Sequence, residues 1–205
     1  MNKSLAISAS LLLGSNLIAL VCAIWFRWNL FEIVLLYWIQ ALIIGVFQRR
    51  KVRDMVAYAR HPRRAKWFRA SRTSLMQEGM HNGFAGVYGV FWAGAGIILL
   101  ITFFDSERLT VDPVTILFAS STFVFSHWWS YRTNKQTDEQ RVVDINVLLL
   151  PLFRMFLPLH VFSVVMDLDS TTTPAMIAVW MSIKTTVDLS AHVIEHTERR
   201  RVPAA

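Results

Sequence analysis

Near the end of the chain, Lys184, Asp188, His192, Glu195 and His196 interrupt an otherwise apolar segment. Four-residue steps on an α-helix drift by only about 40°, so Lys184, Asp188, His192 and His196 fall on one stripe. An ammonium and a carboxylate at that spacing can neutralise each other. Two imidazoles at that spacing can share one metal ion. Glu195 between them suits either a base that activates metal-bound water or an outer partner that fixes a ring tautomer. His192-Val193-Ile194-Glu195-His196 also has the H-x-x-E-H order of inverted zinc peptidases. The surrounding apolar residues argue against that activity. A charge at bilayer depth costs about 2.5–3.5 kcal/mol on insertion scales, so residues kept there face a protein interior and act in it.

Other apolar stretches carry isolated groups of the same kinds. Glu78, His81 and Asn82 share a helix face by their spacing of three and four. Ser126-His127 lies in a later stretch, Arg154 and His160 in the next, and Tyr37-Trp38-Ile39-Gln40 in an early one. Glu32 begins that early stretch.

The elements that position these groups follow from composition. Of 205 residues, 54% are hydrophobic and 17% charged, below the roughly 25% usual in soluble domains. Six apolar runs, at 5–26, 30–47, 75–104, 114–131, 147–166 and 174–194, approach or exceed the ~20 residues that cross a bilayer as a helix. The expected fold is an all-α integral membrane bundle of six transmembrane helices, forming a single domain over 1–205. The glycines of the third run (Gly79, Gly83, Gly86, Gly89, Gly94, Gly96) are expected to admit close helix neighbours.

Charge sets the orientation. Residues 49–72 hold ten Lys/Arg against one acid, Asp54, and the tail carries Arg199, Arg200 and Arg201. Loops 105–113 and 167–173 are acidic apart from Arg108. The positive-inside rule then places both termini in the cytoplasm, with a basic cytoplasmic loop at 49–73. That loop reads as an interfacial segment on anionic lipid headgroups, not as a nucleic-acid surface. A lone Cys22 excludes an intramolecular disulfide and a thiolate-rich metal site.

This topology brings His81, His127, His192 and His196 to a similar depth, about 9 Å or less inside the cytoplasmic edge. Together with Glu78 they make a candidate metal set. Imidazole and carboxylate accept zinc, iron or copper alike. Asp188 and Glu195 are the candidate catalytic groups, and His160, Arg154 and Lys184 the candidate cofactor-binding groups. Lys184 is expected to pair with Asp188, and Arg154 with a carboxylate or an anionic headgroup. Three functions are consistent with such a layer. The first is a metal-dependent membrane hydrolase or oxidase acting on a lipid-like substrate. The second is a haem- or chlorophyll-type pigment-binding subunit. The third is a small transporter or accessory subunit with a proton relay.

Several of these fragments together resemble a prokaryotic multi-pass membrane family of unknown function. They are Tyr37-Trp38 with Gly45-Val46-Phe47, His81-x-Gly83-Phe84, Ser126-His127, Leu157-Pro158-Leu159-His160, and the terminal Lys184-to-His196 ladder. The resemblance spans the second to sixth apolar runs and implies a location in the prokaryotic inner membrane. It carries no reaction, substrate or cofactor. The family pattern has Glu-Asn shortly after Tyr-Trp, whereas this chain has Gln40-Ala41 there.

Overall fold

The computed structural model describes residues 3–59, 73–105, 112–139, 150–154 and 173–197. Five long helices account for most of them: α1 (Lys3–Trp25), α2 (Leu30–Ala59), α3 (Thr73–Asp105), α4 (Pro113–Glu139) and α5 (Pro174–Thr197). Residues 150–154 are also helical, and no described residue is in a strand. Among the described residues, three spans are long and apolar enough to cross a membrane: Ala6–Trp25, Leu30–Tyr58 and Gly83–Ile101.

The helix ends follow local chemistry. Asp112 and Thr173 precede Pro113 and Pro174, and proline suits the first helical position because its missing N–H would be unpaired there. The Asp112 carboxylate accepts from the Val114 N–H at 3.0 Å, and the Thr173 hydroxyl accepts from the Met176 N–H at 3.3 Å. α2 starts with a reciprocal cap. The Asn29 N–H donates to Glu32 Oε2 and the Glu32 N–H donates to Asn29 Oδ1, both at 2.9 Å.

α1 and α3 run one way along the bundle, and α2, α4 and α5 run the other. Ser8, early in α1, touches His192, late in α5. Lys51, late in α2, reaches both Asp138 at the end of α4 and Glu195 at the end of α5. These contacts define a near end of the bundle. At the far end, the α1–α2 turn meets the start of α4 where the Trp28 indole donates to Thr115 at 3.1 Å.

Packing joins α1 to α4 and α5, and α2 to α3 and α4. The main apolar cluster draws Ala19 and Ala23 from α1, Ile33, Leu36 and Tyr37 from α2, Phe123 from α4, and Trp180 and Met181 from α5. The polarity pattern is inverted relative to a soluble bundle. Asn16, Gln40, Lys184 and Asp188 are buried, while Leu17, Val90, Ile101, Leu117 and Val179 are exposed. Helices with apolar outer faces associate through close packing and interhelical hydrogen bonds.

The α2–α3 seam illustrates both forces. Trp38 and Trp92 stack at 4.3 Å, and each indole donates to the other's backbone carbonyl, at 2.9 and 3.1 Å. The Tyr88 hydroxyl donates to the Ala41 carbonyl at 2.6 Å. Gly45 lies beneath the Tyr88 ring, where a Cβ would stand 2.4 Å from a ring carbon. Gly96 lies beneath Trp38 in the same way, at 2.7 Å.

One expectation is met at a single described position and another is corrected. Of the α3 glycines, Gly83, Gly86, Gly89 and Gly94 have no described atom within 4 Å of an added Cβ. Close approach there belongs to Gly96. The side chain of Gly79's neighbourhood lies outside the described residues. In addition, the stretch from Arg49 to Ala59 is a continuation of α2, not loop. It stays helical because it is amphipathic: Val52 and Met55 are buried, Lys51 is paired inward, and Asp54 accepts from the Tyr131 hydroxyl of α4.

Candidate functional site: a buried charge centre with imidazoles beside it

Asp188 is the hub. Its residue is 0% exposed, and its carboxylate accepts from three helical segments. Lys184 Nζ donates to Oδ2 at 2.5 Å from one turn earlier on α5. Gln40 Nε2 of α2 donates to the same oxygen at 3.1 Å, and Arg154 Nε donates to Oδ1 at 3.0 Å. The α5 stripe makes this possible, since Ile177, Met181, Lys184, Asp188 and His192 are all buried on one face. Lys184 Nζ also lies 5.2 Å from the centre of the Tyr37 ring, where the π-face favours a cation.

The pairing of Lys184 with Asp188 and of Arg154 with a carboxylate follows the expectations from sequence. Donors and one acceptor around Asp188 are nonetheless left over. Arg154 Nη2, Tyr37 Oη and Gln40 Oε1 are buried and have no hydrogen-bond partner among the described residues.

His192 lies one turn beyond Asp188, about 6 Å along the helix axis. Its Nε2 is 2.9 Å from Ser8 Oγ of α1. His127 of α4 sits beside Phe47, with ring centroids 6.2 Å apart, and its Nε2 is buried without a described partner. Glu195 closes the near end through Lys51 at 2.5 Å, and Asp138 shares that lysine at 3.2 Å.

Thus Lys184, Asp188 and Arg154 come together, with His192, His127 and Glu195 arrayed toward the near end. The backbones of Glu78 and His81 belong to α3 and that of His196 to α5, but their side chains lie outside the described residues, as does all of His160. Among the described residues, no three His, Cys, Asp or Glu groups are placed to hold one metal ion.

Sequence reading missed Ser8, Lys51 and Asp138 as partners, and it gave Gln40 no role. A signal for Ser8 exists. Ser8, Leu12, Ser15, Ala19, Cys22 and Ala23 recur at helical spacing and are the buried stripe of α1. Lys51 and Asp138 lie in stretches whose high charge reads as solvated surface.

An all-helical bundle with apolar outer faces and a charged, incompletely paired interior defines the class. The chain belongs to DUF6498, a family of unknown function whose model matches residues 2–205. No curated protein and no solved structure matches it.

Proposed function

We propose that the chain is an integral protein of the prokaryotic inner membrane, with six spans and both termini cytoplasmic. In this reading the near end of the bundle faces the cytoplasm and holds a transition-metal site that acts on a lipid-like substrate. One observation carries the proposal: the buried Nε2 of His127 has no partner among the described residues. A buried imidazole nitrogen with no hydrogen-bond partner is well suited to a metal. The remaining ligands would come from Glu78 and His81 on α3 and from His196, one turn beyond His192. The Ser8 contact would orient the His192 ring, as outer partners of metal ligands do.

Of the two candidate bases, Asp188 is engaged by three donors and Glu195 is paired with Lys51; were a metal bound at the near end, Glu195 would be the residue to serve as base. That arrangement gives hydrolysis, and a redox-active metal in the same place gives oxidation.

A second reading rests on the continuity of the polar ladder. From Lys184 and Asp188 through His192 to Glu195 and Lys51, ionisable groups follow one face of α5 to the near end. Such a chain suits a proton relay in a small transporter or accessory subunit.

Elemental analysis and a visible spectrum of tag-free, detergent-purified protein separate these readings. About one transition metal per chain is expected, falling to background in His127→Ala. Metal that survives His127→Ala, or protein that is metal-free as isolated, overturns the metal site. A strong Soret or chlorophyll-like band would replace it with a haem- or pigment-binding function, and a colourless, metal-free protein leaves the relay.

A further inference from the structure

Among the described residues, the centre around Asp188 holds two cations against one carboxylate. Arg154 is a permanent cation, and Lys184 donates at 2.5 Å to the one carboxylate they share. Both cations are about 5% exposed or less. The other described carboxylates are engaged elsewhere. Glu32 caps α2 at the far end, Asp138 and Glu195 share Lys51, and Asp54 is held by Tyr131 and Lys135.

The geometry of Arg154 adds direction. It meets Asp188 through Nε alone, whereas a planar guanidinium can engage two oxygens side by side. Among the described residues its buried Nη2 has no hydrogen-bond partner, and neither has the buried Tyr37 hydroxyl, which belongs to the ring lying against Lys184. Two hydrogen-bond donors and a surplus positive charge are what an oxyanion requires. Gln40 Oε1, also buried and unpartnered, could accept from a protonated oxygen of the same group.

We propose that this centre binds a phosphate or carboxylate group inside the bundle, with Arg154 and Tyr37 as donors and Asp188 as the residue that positions Arg154 and Lys184. The anion comes either from the headgroup of an amphiphile or from a free ion. The site is one turn deeper than the imidazoles, so it stands whether or not they hold a metal.

The test uses the full chain in a non-ionic detergent after dialysis against a chelator, which keeps its outcome separate from that of the metal site. Short-chain phosphatidate, inorganic phosphate and short-chain phosphatidylcholine are titrated while thermal unfolding and tryptophan fluorescence are followed. Saturable binding of phosphatidate or phosphate is expected, with none for the zwitterionic lipid. Phosphatidate alone identifies a headgroup site, and both together identify a free-anion site. Arg154→Gln is expected to weaken binding at least about tenfold, in line with loss of a hydrogen bond to a charged group. Because Arg154→Gln also disturbs Asp188, Tyr37→Phe serves as the milder variant. It removes only an unpaired hydroxyl and is expected to weaken binding several-fold in a protein that elutes and unfolds normally. Absence of saturable binding overturns the proposal. So does anion binding that both variants leave unchanged, or that is lost in 0.5 M salt, since that behaviour belongs to the exposed basic residues.

Discussion

The two ends of the bundle bury polar groups for different purposes. At the far end, Glu32 has both carboxylate oxygens occupied: Oε2 by the Asn29 N–H and Oε1 by the Asp112 N–H at 3.1 Å. Its contacts tie the start of α2 to the start of α4 and are complete within the chain. In the interior and toward the near end, Asp188 is equally buried, but its surroundings are not complete. Two cations meet one carboxylate, and Arg154, Tyr37, Gln40 and His127 keep buried atoms without described partners. A completed polar cluster supports the fold, and an over-supplied one is what a ligand completes.

The sharpest way to break this contrast is Asp188→Ala. It removes the shared acceptor of Lys184, Arg154 and Gln40 and leaves two buried cations unneutralised. Losing one partner of a buried ion pair costs about 3–5 kcal/mol, and here two pairs lose the same partner. The expected outcome is protein that inserts poorly or aggregates on size-exclusion chromatography in detergent. If Asp188→Ala is monodisperse with an unchanged unfolding temperature, Lys184 and Arg154 have other acceptors and the centre is not the hub described.

Glu32→Ala probes the opposite end and should do less. It leaves the Asn29 and Asp112 N–H groups to find other partners, a loss of about 1–2 kcal/mol by analogy with N-cap deletions. The expected result is a lower unfolding temperature with unchanged metal content and anion affinity. A change in either ligand property would erase the distinction between a structural end and a functional one.

Much of this was legible in the sequence because helix spacing is rigid. The buried α5 stripe, the Lys184–Asp188 pair and a carboxylate partner for Arg154 all follow from four-residue steps and from the cost of a lone charge in an apolar segment. The all-helical class follows from the apolar runs. Tertiary partners were less accessible. Nothing local says that Gln40 of α2 meets Asp188 of α5, 148 positions away, or that Ser8 meets His192. The glycines of α3 show the same limit among the described residues. Small residues permit close approach, but only the packing of Trp38 selects Gly96 over Gly83, Gly86, Gly89 and Gly94. The charged extension of α2 was hidden because charge density outweighs a short amphipathic pattern until Lys51 and Asp54 are seen to have partners.

The smallest expected effect lies in the α1–α2 turn. Arg27 has a φ of 52°, the left-handed region, just beyond the end of α1. The Trp28 N–H reaches the Ala23 carbonyl at 2.9 Å and the Arg27 N–H reaches the Ile24 carbonyl at 3.3 Å, the bond pattern of a Schellman helix ending. Glycine is the usual residue at that position because a Cβ there costs about 1 kcal/mol. Arg27→Gly relieves that strain but makes the unfolded chain more flexible, which returns about half of the gain. A rise of about 1–2 °C in unfolding temperature is expected for a chain of this size, with no change in metal content or anion affinity. A fall instead would mean that the arginine side chain contributes more at the far end than its backbone strain removes. The far end would then join the near end in carrying a charge for a reason other than the fold of its own turn.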